Sequence, residues 1–161
     1  MDTKFKNRVN DFLAQKNIAF AGYSSEGTEV ANHLYNKFKK NGYNVFAVNP
    51  KFKQVKNIEC FPDIKSIPEK PDALMISTPP SATINLVKEC IELGIKHVWI
   101  HKAFGNGSYS KDAVKLAEKN GIEIIPNACP MMFLKPDIFH ACVKWVLNIK
   151  GKLKIEDYQA N

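Results

Sequence analysis

The stretch IAFAGYSSEGTEV, residues 18–30, runs from an uninterrupted apolar segment through a turn of small and hydroxyl residues into a helical pattern. A short apolar run ending in glycine reads as a strand buried on both faces. Gly22 and Gly27 have the Gly-x-x-x-x-Gly spacing of a triphosphate-binding loop, but Thr28 and Glu29 stand where Lys and Ser/Thr should follow. The missing lysine, which reaches the terminal phosphates, argues against a triphosphatase. Beyond the turn, Val30, Leu34 and Phe38 recur at helical spacing until KKNG, residues 39–42, ends the helix with cations and Gly42.

The same cycle repeats along the chain. YNVFAVNP (43–50) reads as a strand stopped by Pro50, and DALMIST (72–78) as another, stopped by Pro79 and Pro80. Ser81 is expected to cap the helix ATINLVKECIEL (82–93), which Gly94 ends. KHVWI (96–100) follows as a fourth strand, Ser110 caps KDAVKLAEKN (111–120), and IEIIP (122–126) is the fifth. An opening helix carries Phe5, Val9, Phe12 and Leu13 on one face, and DIFHACVKWVLNI (137–149) forms an amphipathic terminal helix. Residues 51–71, broken by Pro62, Pro68 and Pro71, are expected to hold one short helical turn at most, and the tail after Gly151 is expected to fray.

Doubly apolar strands alternating with helices define an α/β chain: a Rossmann-like, doubly wound parallel sheet of about five strands with helices on both faces. The expected organisation is a single domain over 1–161, with an N-terminal helix (1–16), a core (17–134) and a C-terminal helix and tail (135–161).

Bulk properties fit that reading. With 161 residues, 45% apolar and 24% charged, the chain is long enough to bury roughly two thirds of its extended surface. The formal charge of +7 favours an anionic partner. The lysines are spread along the chain, with no aromatic-interleaved basic block, so nucleic acid is not the expected ligand. No apolar run approaches membrane-spanning length, and the N-terminus MDTKFKNRV has no apolar stretch behind its charges, so no membrane association and a cytoplasmic location are expected. Cysteines 60, 90, 129 and 142 form no C-x-x-C pair and histidines 33, 97, 101 and 140 lack zinc spacing, which points to reduced thiols and no metal.

In doubly wound sheets ligands bind at the carboxyl ends of the strands, where strand order reverses, so the turns there carry the functional reading. Gly22, Tyr23, Ser24 and Ser25, followed by Gly27 and Thr28, lead into a helix N-terminus whose free N–H groups and dipole attract a phosphate. After the second strand an NAD site carries an acidic residue for the ribose hydroxyls. Here the order is Asn49-Pro50-Lys51. Lys51, aided by Lys53, favours a phosphate on the adenosine ribose, as in coenzyme A or NADP. Thr78, Pro79, Pro80 and Ser81, within STPPS (77–81), form a stiff wall suited to an adenine or a pantetheine arm. Cys129, in NACPMM (127–132), follows the fifth strand; His101 is its nearest candidate base, with no orienting partner, so core packing is the expected role.

Four stretches in order, AGYSSEGTEVANHLYNKFKKNGYNVFAVNPK (21–51), STPPS, GIKHVWIHKAFGN (94–106) and GIEIIPNACP (121–130), resemble the small single-domain CoA-binding proteins. These are similar to the N-terminal CoA-binding domain of the succinyl-CoA synthetase α subunit, and the resemblance covers about residues 16–134. It implies that Gly22, Tyr23, Ser24 and Ser25 contact phosphate, that Pro50 and Lys51 flank the adenosine end, and that the Thr78–Ser81 loop borders the CoA groove. The turn departs from the synthetase pattern in being shorter and carrying Glu26. The synthetase's phosphorylatable histidine lies on a following domain, so the resemblance transfers binding and not catalysis. The expected function is non-catalytic binding of coenzyme A or an acyl-CoA, a small-molecule nucleotide ligand, with an NADP-binding module or oxidoreductase fragment as the alternative. A third class is an interaction protein contacting its partner through Met131–Leu134 or the terminal helix.

Overall fold

The computed structural model describes residues 1–25, 30–102 and 107–155. Helices α1 (Thr3–Ala14), α2 (Val30–Lys40), α3 (Pro80–Leu93), α4 (Lys111–Lys119) and α5 (Ile138–Ile149) alternate with strands β1 (Asn17–Ala21), β2 (Asn44–Val48), β3 (Gln54–Val55), β4 (Ile58–Phe61), β5 (Ala73–Ile76), β6 (His97–His101) and β7 (Glu123–Ala128). The strands make one sheet in the order β3-β4-β2-β1-β5-β6-β7. Every pairing is parallel except the hairpin between β3 and β4. Among the described residues no helix is long and apolar enough to cross a membrane.

The alternation of side chains along each strand divides the core into two layers. Ile18 and Phe20 of β1 join Met75 and Trp99 beneath α1 and α2, where Phe5, Phe12, Leu34 and Phe38 are buried. Ala19 and Ala21, with Leu74, Ile76, Val98 and Ile100, face Leu86, Val87 and Cys90 of α3 and Ala113, Val114 and Ala117 of α4. The first layer is held by edge-to-face aromatic contacts, Phe12 against Trp99 at 5.2 Å and Phe20 against Phe38 at 5.3 Å between ring centroids. Arg8 of α1 reaches across to the carbonyl of Ile124 (2.6 Å) and pairs with Glu118 of α4 (3.2 Å). That clamp fixes the opening helix over β7.

Three expectations are corrected. The stretch 51–71 holds a two-stranded hairpin rather than a helical turn: Lys56 and Asn57, both left-handed (φ 47° and 65°), join β3 to β4. β4 then pairs parallel with β2 and widens the sheet to seven strands. Two left-handed residues in succession suit the twist of a tight hairpin. Ser81 is not the cap of α3. Pro79 takes that position and Pro80 opens the helix, whose N-cap has no side-chain hydrogen bond. The tail is docked as far as residue 155, with Leu153 and Ile155 buried. Asp2 holds it: its N–H donates to the Leu153 carbonyl (3.0 Å), and its carboxylate accepts from the N–H of Ile155 (3.0 Å) and from that of Phe5 (2.6 Å) as the cap of α1. Ser110 does cap α4, accepting from the N–H of Ala113.

Candidate functional site

From β1 the chain winds outward through β2 to β4, then returns to the other side of β1 and continues through β5, β6 and β7. The reversal therefore falls between β1 and β5, and a crevice opens at their carboxyl ends. Register keeps these ends level, since Ala21 lies opposite both Val48 and Ile76. The ladder continues one step past the strands: Gly22 N–H donates to the Val48 carbonyl (3.1 Å) and Ser77 N–H to the Ala21 carbonyl (2.9 Å).

At Gly22 the backbone is left-handed (φ +106°), and a β-carbon there would lie 2.6 Å from the carbonyl oxygen of Ser77. Only glycine permits this approach of the first and third turns. Beside it the hydroxyls of Ser77 and Thr78 are buried without a hydrogen-bond partner among the described residues. Buried hydroxyls are almost always satisfied, so two orphans at the mouth of the crossover are suited to a ligand's polar groups.

Asn49 organises the opposite wall. Buried at the end of β2, it donates from Nδ2 to the Tyr23 carbonyl (2.7 Å) and accepts at Oδ1 from the Lys51 N–H (2.9 Å). One side chain thus ties the first turn to the second and holds the turn that presents Pro50 and Lys51, both exposed. The ring of Tyr23 is turned into the core, 4.8 Å from that of Tyr35, and burial raises its pKa. What Tyr23 places at the crevice is its main chain. Ser24 is held by Asn32 of α2, which accepts from its N–H (3.1 Å) and donates to its carbonyl (2.7 Å). Ser25 is exposed. Glu26, Gly27 and Thr28, also part of the sequence reading of this turn, lie outside the described residues, as do residues 103–106 of the loop after β6.

The sites singled out in the sequence therefore fall on one edge of the sheet, around one crossover. Helices α2 and α3 start at this edge, and neither carries an acidic residue in its own first turn, which favours an anion at their positive dipole ends. Lys102, at the end of β6, adds a cation on the same edge, with Nζ 5.3 Å from the Tyr109 ring. Sequence reasoning missed Lys102, Asn32 and the bracing role of Asn49. Asn32 sits in an ordinary helical pattern and gives no local signal; only the fold brings it to Ser24.

Cys129 and His101, the sequence's candidate nucleophile and base, are both largely buried. Burial raises the Cys129 thiol above its usual range and pushes His101 down to about 4. Cys129 packs partly buried against the first core layer, and the His101 side chain is buried at the end of β6, where the residue's main-chain carbonyl accepts from the Ser108 N–H (3.0 Å).

Comparison with known proteins shows the family. The profile of the CoA binding domain matches residues 16–135, and the chain belongs to that family. It is 26% identical over 148 residues to an ADP-forming acetate–CoA ligase I of Archaeoglobus fulgidus, covering 86% of this chain and 21% of the ligase. It is 29% identical over 129 residues to the α subunit of an ADP-forming acetate–CoA ligase II of Pyrococcus furiosus, covering 75% of this chain and 28% of the subunit. This chain thus spans less than a third of either relative. Among solved structures, a hypothetical protein from Pyrococcus horikoshii superposes with a TM-score of 0.69 at 30% identity, covering 79% of this chain and 87% of that one.

Proposed function

We propose that the chain binds coenzyme A or an acyl-CoA, without catalysing a reaction itself, in the crevice between β1 and β5. The observation that carries this reading is the approach of Gly22 to Ser77 beside two unpartnered buried hydroxyls. A pyrophosphate lies over the main chain of Gly22, Tyr23, Ser24 and Ser25, at the positive end of α2. Pro50 packs beside the adenosine and Lys51 pairs with its 3′-phosphate, in a turn whose geometry Asn49 sets. Thr78, Pro79, Pro80 and Ser81 border the groove along which the pantetheine arm leaves. The family match supports coenzyme A, and the comparisons lend the NADP alternative no support.

Thermal unfolding with coenzyme A, dephospho-CoA, NADP and NAD tests the proposal. A ligand at one hundred times its dissociation constant stabilises the fold by about 2.7 kcal/mol. Coenzyme A should give the largest shift. No shift with either coenzyme A or acetyl-CoA overturns the reading, and an equal shift with dephospho-CoA removes the role given to Lys51.

A further inference from the structure

Helix α5 follows directly on the stretch that matches the family, which ends at residue 135. It has two unlike faces. Val143 and Leu147 point inward onto the first core layer, where Lys144 lies over the ring of Phe133 at 4.6 Å. The outward face carries Ile138, Phe139, Trp145 and Ile149, which are 86%, 62%, 65% and 65% exposed, together with Val146 and Cys142. None of the helix is fully buried. Single exposed apolar residues need no explanation, but a contiguous stripe of this size marks an interaction surface.

The spacing of the stripe identifies its occupant. Ile138, Cys142, Trp145 and Ile149 are separated by four, three and four residues, the seam of a paired helix. That seam is symmetric about the midpoint between Val143 and Lys144. When two copies of α5 lie antiparallel about a two-fold axis through that midpoint, Ile138 of one faces Ile149 of the other. The large indole of Trp145 then faces the small Cys142. Along one flank Phe139 meets Val146 of the other copy, and along the other flank Ala141 meets Asn148. The side chains at these positions are uncharged, and the N-terminal ammonium of Met1, which donates to Asn148 Oδ1, places a cation at the edge of the strip. The stripe offers on the order of 600 Å² per copy, so a symmetric pair buries about 1,200 Å², the lower bound of a specific interface. Opposed helix dipoles add to the fit.

We infer that α5 is the two-fold contact of a homodimer, formed by antiparallel pairing of this helix with its copy in a second chain. The inference does not depend on the ligand proposed above, because the helix lies outside the crevice residues.

Light scattering of the full chain over a concentration series should give twice the 18.2 kDa of one chain. Trp145→Glu and Ile149→Glu, each placing a charge on the seam, should halve the mass while leaving the circular dichroism spectrum and the response to coenzyme A unchanged. Chains carrying Ile138→Cys and Ile149→Cys, each with Cys142→Ser, should form a disulfide when mixed and none when kept apart. A monomer at every concentration overturns the inference, and one that sediments with anionic vesicles assigns the stripe to a lipid surface instead. A dimer that survives both glutamate substitutions, or cross-linking of Ile138→Cys chains to each other, overturns it equally.

Discussion

Gly22 and Ser77 belong to turns separated by more than fifty residues of chain, yet their backbones pass so closely that a β-carbon on Gly22 would sit 2.6 Å from the Ser77 carbonyl oxygen. Gly22→Ala combines that clash with a left-handed backbone and should cost about 2–4 kcal/mol. Gly94, also left-handed (φ +68°) but with nothing near its missing β-carbon, is the control: Gly94→Ala should cost only about 1 kcal/mol. Urea unfolding of the two variants gives the comparison; equal losses would mean that the contact with Ser77 contributes nothing.

Asn49 is a buried brace. Asn49→Ala removes the bond to the Tyr23 carbonyl and frees the Lys51 turn. It should lower stability by about 1–3 kcal/mol, as expected for a buried group left unpaired. It should also reduce the thermal shift given by coenzyme A. Retention of the full shift in folded Asn49→Ala would separate the brace from binding.

Lys51 is exposed, so Lys51→Ala should change stability by less than about 0.5 kcal/mol. Its effect should fall on the ligand: affinity for coenzyme A should drop to that for dephospho-CoA, and affinity for dephospho-CoA should stay as it was. Calorimetric titration of both ligands against both proteins reads the four values, and a parallel loss for the two ligands would count against a 3′-phosphate contact.

His101 is held neutral by burial, with its pKa lowered from 6.5 to about 4. A histidine whose folded pKa is lowered binds its proton more readily when unfolded, so stability is undiminished above pH 6.5 and declines as pH falls toward 4. The expected loss over that interval is on the order of 3 kcal/mol. His101→Phe should flatten the acid limb of a denaturant-midpoint profile. An imidazole resonance titrating near 6.5 in the folded protein would contradict the assignment.

The periodic elements were legible in the sequence because each declares itself locally. The buried runs of β1, β5 and β6 and the helical spacing of Phe5, Val9 and Phe12 need no distant residue to be read. The β3–β4 hairpin was not legible. Its turn is Lys56-Asn57 rather than a glycine-bearing pair, and a two-residue strand has no alternation to detect. The cap of α3 was misplaced for a related reason: Ser81 has the better capping side chain, but the rigid Pro79–Pro80 pair sets the helix start two residues earlier.

At the crevice the division is similar. Gly22 and Lys51 could be singled out from residue type and position after a strand. Asn32, Lys102 and the orphaned hydroxyls of Ser77 and Thr78 acquire meaning only from what stands next to them.

By itself, then, the amino-acid order determined the alternation of strands and helices, the two-layered core and the sheet edge on which the proposed site residues fall. These follow from short-range periodicity and from the chain's need to bury doubly apolar strands. Tertiary structure alone decided which strand lies beside which, and so which turns meet at the crossover. It also left the Trp145 face of α5 exposed while Val143 and Leu147 pack, partly buried, against the core. Those outcomes depend on packing between segments far apart in the chain, and a helix with apolar residues on both sides carries no local mark of which side the core will take.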